Sequence, residues 1–275
     1  MASREISYNG IKYSISYEIV GRGEEILFLH GWGAKKEVMK KAFGSYFDDF
    51  RQIYVDLPGF GASSIEKALV TEQYAGIIRE FLASIGSHPL CVVGHSFGGK
   101  VDSLLAPRVL VLLSSAGIPI KKKFSTRVKI RLFKMFKAMG FGFLWRIFAS
   151  KDVAGMSATM YETLKNVVNE DFTSVFANCP SRILIFWGAE DSTTPLSCGK
   201  KISEIAKNCV RFEPLSGDHF FFLAHGGSIA ANTAALIAQM QNGIAQGKSL
   251  LGPCDSHIHK PPFLLDILGT GHHSA

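Results

Sequence analysis

Cysteine is scarce in this chain. Five thiols, Cys91, Cys179, Cys198, Cys209 and Cys254, are spread over 275 residues. Their number is odd and no two form a C-x-x-C pair, which argues against a disulfide framework and against a structural zinc site. Long apolar runs are also missing, since none reaches the roughly 18 residues that a membrane-spanning helix needs. The opening stretch from Met1 to Ser14 has no apolar segment of signal-peptide type. The expectation is a cytoplasmic protein with reduced thiols and no stable insertion into a membrane. Glycine is plentiful, at 27 residues, but without a three-residue period, so a collagen-like chain is excluded. Charged residues, 19%, are too few and hydrophobic residues, 47%, too many for a disordered chain. This length holds one large α/β domain or two small ones.

Acidic residues are absent from one long stretch. Between Ser103 and Lys151 there are eleven basic residues and no acidic one. With a formal charge of +7 for the whole chain, the remainder carries −4. The basic character is therefore local. A nucleic-acid surface is broader and comes with a recognisable module, so no nucleic-acid partner is expected. Inside the stretch, Val128, Leu132, Met135, Phe136 and Met139 recur at helical spacing, with Arg127, Lys129, Arg131, Lys134 and Lys137 on the other faces. Residues 121–137 read as an amphipathic helix. Its basic side is a solvated face, an attractor for anionic substrates, or a weak contact for a membrane surface.

The rest of the chain alternates between two patterns. Ile6, Tyr8, Tyr13, Ile15, Tyr17 and Ile19 alternate with more polar residues around Asn9-Gly10, the signature of a tight hairpin. Short apolar runs follow at Ile26–Leu29, Ile53–Val55, Leu90–Val93, Val109–Leu113, Ile183–Trp187 and Val210–Phe212. Runs of this length without polar alternation suit buried, mostly parallel strands. Between them lie helical stretches: one capped by Thr71 and ended by Gly86, one over Leu196–Ala206 and one over Ile229–Ile244. Strands alternating with helices predict an α/β fold with a doubly wound, mostly parallel sheet. The alternation is interrupted over 118–178, which has helical periodicity and no good strand. The expected organisation is a core of residues 1–117 and 179–247, a helical insertion at 118–178 and a loosely ordered tail at 248–275. The tail carries Asp255-Ser256-His257-Ile258-His259 and His272-His273, but these stand in a Gly- and Pro-punctuated terminus, so no metal site is expected.

The strongest chemical signal is Gly94-His95-Ser96-Phe97-Gly98-Gly99, directly after the apolar run Leu90–Val93. It fits G-x-S-x-G. In a strand–turn–helix elbow the nucleophile sits on a very tight turn, and glycines two residues before and after it avoid Cβ clashes. A serine hydroxyl is a weak nucleophile near neutral pH and needs a base, which needs an orienting acid. Asp191 follows the run Ile183–Trp187, and Gly217-Asp218-His219 follows the next strand. The order Ser96, Asp191, His219 suits nucleophile, acid and base. Glu190 and Asp218 compete for the acid role, and His225 for the base. His30-Gly31-Trp32-Gly33 follows the strand Ile26–Leu29, where the Trp32 and Phe97 N–H groups are candidates for an oxyanion hole. His30 is a loop-shaping residue or a second base. Trp145, Arg146 and Phe220, with His30, are candidate substrate-pocket residues.

With these motifs in place, the sequence resembles the α/β-hydrolase family, among lidded esterases and ring-cleavage product hydrolases. The likeness rests on His30–Gly33, Val55–Ser64 (VDLPGFGASS), the elbow at Gly94–Gly99, Trp187–Pro195 (WGAEDSTTP) and Gly217–Phe220 (GDHF). It covers roughly residues 5–245. The resemblance implies a Ser96–Asp191–His219 triad, a Trp32/Phe97 oxyanion hole and a lid at 118–178. A serine at the elbow argues against relatives with an aspartate nucleophile. The implied activity is hydrolysis of a carboxylic ester of a small acyl substrate through an acyl-enzyme, without a cofactor. Cleavage of a C–C bond in a 2-hydroxy-6-oxo-dienoate is the alternative, and a catalytically silent binding protein is the third reading. One departure from the family stands out: only Lys100–Arg108 separate the elbow from the next strand, so the helix after Ser96 must be short.

Overall fold

The computed structural model describes residues 2–120 and 156–245. The amphipathic stretch 121–137, Trp145, Arg146 and the tail 248–275 lie outside the described residues. Eight strands form one sheet in the order β1-β2-β4-β3-β5-β6-β7-β8. They are β1 (Ala2–Tyr8), β2 (Ile11–Val20), β3 (Glu24–Leu29), β4 (Phe50–Val55), β5 (Cys91–His95), β6 (Val109–Leu113), β7 (Arg182–Gly188) and β8 (Cys209–Leu215). β1 pairs antiparallel with β2, and β2 antiparallel with β4; all the remaining pairs are parallel. The β1–β2 hairpin turns at Asn9 and Gly10, both at positive φ (51° and 77°), as the Asn-Gly pair predicts.

The central strands carry unbroken apolar runs, such as Ile26–Leu29 and Val109–Leu113, because the sheet is covered on both faces. In β3, Leu27 and Leu29 point to the face that packs on α2 (Thr71–Ser84) and α3 (Phe97–Leu105), where they meet Ile77, Ile78, Phe81 and Val101. Ile26 and Phe28 point the other way, against Met39 and Phe43 of α1 (Lys36–Phe43) and Phe222, Ile229 and Ile237 of the long C-terminal helix. Alternation in direction thus persists where alternation in polarity is lost.

The segment expected to be a helical insertion returns to the sheet through α4 (Ala158–Val167) and α5 (Thr173–Asn178), and no strand occurs among its described residues. After β7 come α6 (Leu196–Ile205), β8 and α7 (Phe222–Ala245). α7 begins seven residues before the predicted Ile229, because Phe222 is fully buried and stacks on Phe43 at 6.2 Å. α1 has no counterpart among the predicted helices. Its first residue, Lys36, is buried: Nζ reaches Asp56 Oδ2 at 2.7 Å and Ser16 Oγ at 3.0 Å, while Asp56 Oδ1 accepts from the Lys36 N–H at 2.8 Å.

The predicted cap of α2 is corrected as well. Thr71 is the first helical residue, and its N–H and hydroxyl both donate to Glu170, 99 residues away. A carboxylate borrowed from the inserted segment thus serves the helix N-terminus.

α3 is short, as its sequence demands. Ala106, left-handed at φ 51°, ends it and Pro107 forbids continuation. Wedged between α2 and the middle of the sheet, the helix has no solvent face over its first seven residues. It therefore buries two charged side chains, Lys100 and Asp102. Lys100 is matched by Glu170. Asp102 is fully buried, and neither carboxylate oxygen has a hydrogen-bond partner among the described residues. Burial pushes its pKa well above the ordinary aspartate value.

The unfolded chain releases this proton at a lower pH than the folded chain does. Asp102 therefore costs stability progressively as pH rises above about 4. Asp102→Ala should raise the unfolding free energy measured in urea by about 1–3 kcal/mol at pH 8 and by less at pH 5. A variant less stable than the parent at both values would contradict this assignment.

Candidate active site

Parallel strands bring the candidate residues to one edge. Ser96 follows β5, Asp191 follows β7 and His219 follows β8, all at the carboxyl ends of the strands. Ser96 sits at φ 52°, ψ −110°, a conformation L-residues rarely adopt, which costs roughly 1–3 kcal/mol. Its N–H is tied to the Leu113 carbonyl at 3.0 Å, and its own carbonyl accepts from Gly99 and Ala116. Close packing holds the elbow from all sides. A Cβ on Gly98 would lie 2.4 Å from the Leu29 carbonyl oxygen, one on Gly99 2.4 Å from Ser115 Oγ, and one on Gly94 1.6 Å from Asp102 Oδ2. These glycines are therefore required by contact. The turn places Ser96, buried to 9% exposure, at the start of α3, where the Phe97 N–H has no acceptor within the helix.

Asp191 and His219 are joined directly, Nδ1 to Oδ2 at 2.7 Å. Asp191 is further held by the N–H groups of Thr193 (2.8 Å) and Thr194 (2.9 Å) and by the Thr194 hydroxyl (2.8 Å). Burial alone would raise its pKa. The hydrogen bonds from His219 and Thr194 outweigh burial and bring it to about 2. A carboxylate so firmly ionised only accepts, so the shared proton lies on His219 Nδ1. No hydrogen bond joins Ser96 Oγ to His219 among the described residues. The physical link between them is His95, whose Nε2 lies 2.9 Å from the His219 carbonyl oxygen and whose ring sits 4.6 Å from the His219 ring.

The competing acids are engaged elsewhere. Glu190 accepts from the Gly217 N–H, and Asp218 accepts from the Phe220 N–H at 2.8 Å, so both serve the local backbone. His225 meets the Ser216 carbonyl oxygen at 2.9 Å on the exposed side of its loop. Gly31 presses the His30–Gly33 loop against the elbow: a Cβ there would lie 3.1 Å from Ser96 Cβ and 2.7 Å from His95 Nδ1. Trp32 is next, its ring edge-on to Phe97 at 5.5 Å.

His30, a candidate pocket residue, has both ring nitrogens engaged by the main chain. It is fully buried, with Nδ1 2.8 Å from the Gly31 carbonyl oxygen and Nε2 accepting from the Leu57 N–H at 3.0 Å. It shapes the loop, and burial depresses its pKa to about 4. Phe220 is 41% exposed beside His219, and Leu223 is also exposed one turn on.

Thr194 was not singled out by sequence reasoning, although it lies within the Trp187–Pro195 motif. Nor was the clasp under the elbow. There Lys100 Nζ meets Glu170 Oε2 at 2.6 Å and the Val167 carbonyl oxygen at 2.7 Å, and lies over the Phe172 ring at 4.5 Å. A charged residue in a nine-residue helix set between α2 and the sheet was the available signal.

A family model described as "Alpha/beta hydrolase family" matches residues 26–232. The chain belongs to the alpha/beta hydrolase family. This α/β hydrolase is 25% identical over 239 residues to the pimeloyl-[acyl-carrier protein] methyl ester esterase of Chromobacterium violaceum, covering 76% of this chain and 92% of that one. It is 37% identical over 87 residues to the dihydrolipoyllysine-residue acetyltransferase component of the acetoin cleaving system of Cupriavidus necator, a match that spans 31% of this chain but only 23% of that protein. Among solved structures, an esterase from Exiguobacterium antarcticum superposes with a TM-score of 0.69 at 17% identity, over 86% of this chain and 100% of that one. The chain is thus an enzyme of hydrolase type with esterases among its relatives, and no helix among the described residues is long and apolar enough to cross a membrane.

Two buried histidines give the site an acid limit. His30 titrates at about 4 and His95 at about 3, both depressed chiefly by burial. The unfolded chain takes up these protons near the ordinary histidine value, about 6.5, so both groups remove stability as pH falls from there towards 3–4. Urea midpoints measured from pH 7 to pH 4 should fall steadily. A midpoint that is flat across this range would contradict the neutral, buried state of both rings.

Proposed function

We propose that this protein is a serine hydrolase of carboxylic esters that works through an acyl-enzyme. The observation that carries the reading is the Asp191–His219 pair, set at the same sheet edge as a strained Ser96. His219 Nε2, with its lone pair available, takes the Ser96 proton as Oγ attacks the acyl carbonyl. Asp191 orients the ring and stabilises the imidazolium that forms. The oxyanion is held by the N–H groups of Phe97, at the head of α3, and Trp32, on the loop that Gly31 presses against the elbow. His219 then returns the proton to the leaving alkoxide, and water releases the acid by the reverse path. Every group this route needs is supplied by the chain.

The substrate class proposed is a small ester with a short to medium acyl chain. The exposed apolar side chains of Phe220 and Leu223 near His219 support it, as does the likeness to an enzyme named for a methyl ester. The proposed lid spans residues 118–178, with α4, α5 and the Lys100–Glu170 clasp as its returning end. Cleavage of a dienoate C–C bond uses the same groups, so the discriminating measurement is a comparison of substrates. kcat/KM for p-nitrophenyl butyrate should exceed that for a 2-hydroxy-6-oxo-dienoate. A dienoate value at least about a hundredfold higher, worth about 2.7 kcal/mol in the transition state, would reverse the assignment.

Substitutions test the roles. Ser96→Ala should lower kcat by about 10³–10⁶ while leaving the thermal midpoint unchanged or raised, since alanine removes only the hydroxyl. Asp191→Asn should cost far more than Glu190→Gln or Asp218→Asn. Thr194→Val, which removes one of four donors to Asp191, should cost about three- to thirtyfold in kcat. Retention of more than a few per cent of activity by Ser96→Ala, or Asp218→Asn as the worst acid variant, would sink the assignment.

A further inference from the structure

We propose that His95 is a positioning residue for this hydrolase, holding His219 and the oxyanion loop in register with Ser96. The proposal rests on the serine-hydrolase reading above. Three observations meet at this side chain. Its Nε2 is 2.9 Å from the His219 carbonyl oxygen. A carbonyl accepts only, so Nε2 carries the proton and donates. Its ring packs on the His219 ring at 4.6 Å, with Phe220 at 5.2 Å and Phe222 at 4.7 Å completing an aromatic cradle. Its other nitrogen, Nδ1, is buried without a partner among the described residues and faces Gly31, where an added Cβ would come within 2.7 Å.

The imidazole therefore stands between the loop that carries the base and the loop that carries an oxyanion donor. It is also covalently next to the nucleophile. His219 lies on a loop after the last strand of the sheet, and its main chain is fixed from the elbow side by this one donated bond. The orphaned Nδ1 marks a site shaped for the ring: burying a bare nitrogen costs free energy, which the surrounding structure tolerates in exchange for the Nε2 contact. Burial and the neighbouring His219 keep the ring unprotonated, so it adds no charge that would compete with the imidazolium of His219.

The test pairs His95→Leu with His95→Gln. Glutamine extends an amide donor about as far as Nε2, whereas leucine fills space without donating. Each variant is assayed for kcat and KM with p-nitrophenyl butyrate, active sites are counted by titration with a fluorophosphonate, and the thermal midpoint is recorded. His95→Leu should lose about 30- to 100-fold in kcat per titrated site with KM changed by less than about threefold, and His95→Gln should restore most of the loss. If His95→Leu does not fold, His95→Asn replaces it, since its shorter amide falls short of the His219 carbonyl and should behave as leucine would. Native kcat per titrated site in the leucine or asparagine variant, with only the midpoint lowered, would show a purely structural role and overturn the proposal. So would a glutamine variant as impaired as leucine. A parent enzyme that neither turns over the ester nor reacts with the fluorophosphonate would instead overturn the ester-hydrolase reading on which the proposal rests.

Discussion

The structure depends on one constrained residue. Ser96 is held at positive φ between the middle strand of the sheet and the helix that follows it. A non-glycine residue stays there only if its surroundings leave no alternative. The surroundings are extreme: Gly94, Gly98 and Gly99 bring backbone and side chains so close that no Cβ fits. The Ser96 N–H and C=O are both bonded to the segment that leads out of β6. The roughly 1–3 kcal/mol of backbone strain is offset by burial of the strand–helix unit, and the hydroxyl is thereby lifted to the sheet edge.

Charge is used sparingly around this unit, and nearly always in pairs. The N-terminal N–H groups of α1 and α2 are each met by a carboxylate from a distant part of the chain, Asp56 and Glu170. Each carboxylate also takes a buried ammonium, Lys36 or Lys100. Removing one member of such a pair leaves a buried charge behind, so the pairs bind the α1 loop and the returning inserted segment tightly to the core. In the proposed mechanism Asp191 is the functional counterpart: with four donors to its carboxylate it stays ionised, orients His219 and never takes its proton. Asp102 is the exception, a carboxyl in the middle of the fold without a partner among the described residues.

Most of this frame could be read from residue patterns. Apolar runs punctuated by Gly, Pro and Asp located the strands after the hairpin to within a few residues, since the segments buried on both faces are apolar without alternation. Asn9-Gly10 gave the hairpin, and the short spacing from Lys100 to Arg108 gave the short helix. Features that depend on long-range contact stayed hidden. Thr71 looks like a cap because its local sequence permits one, and only the fold brings Glu170 to it. Lys36 starts a helix with a buried ammonium, which no hydropathy pattern signals. His30 and His95 look alike beside their glycines, yet the fold gives His30 two backbone partners and leaves one nitrogen of His95 without any among the described residues. The Asp191–His219 pairing was legible as order along the chain, but its support by Thr194 required coordinates.

The central claim is that Ser96 becomes covalently acylated. The most direct measurement is mass spectrometry of enzyme mixed with p-nitrophenyl butyrate and quenched in acid within a single turnover. The account predicts the mass of one butyryl group on the peptide that carries Ser96, decaying at the rate at which product acid appears. Rapid ester turnover with no adduct on that peptide, or with the adduct on a different residue, would contradict it.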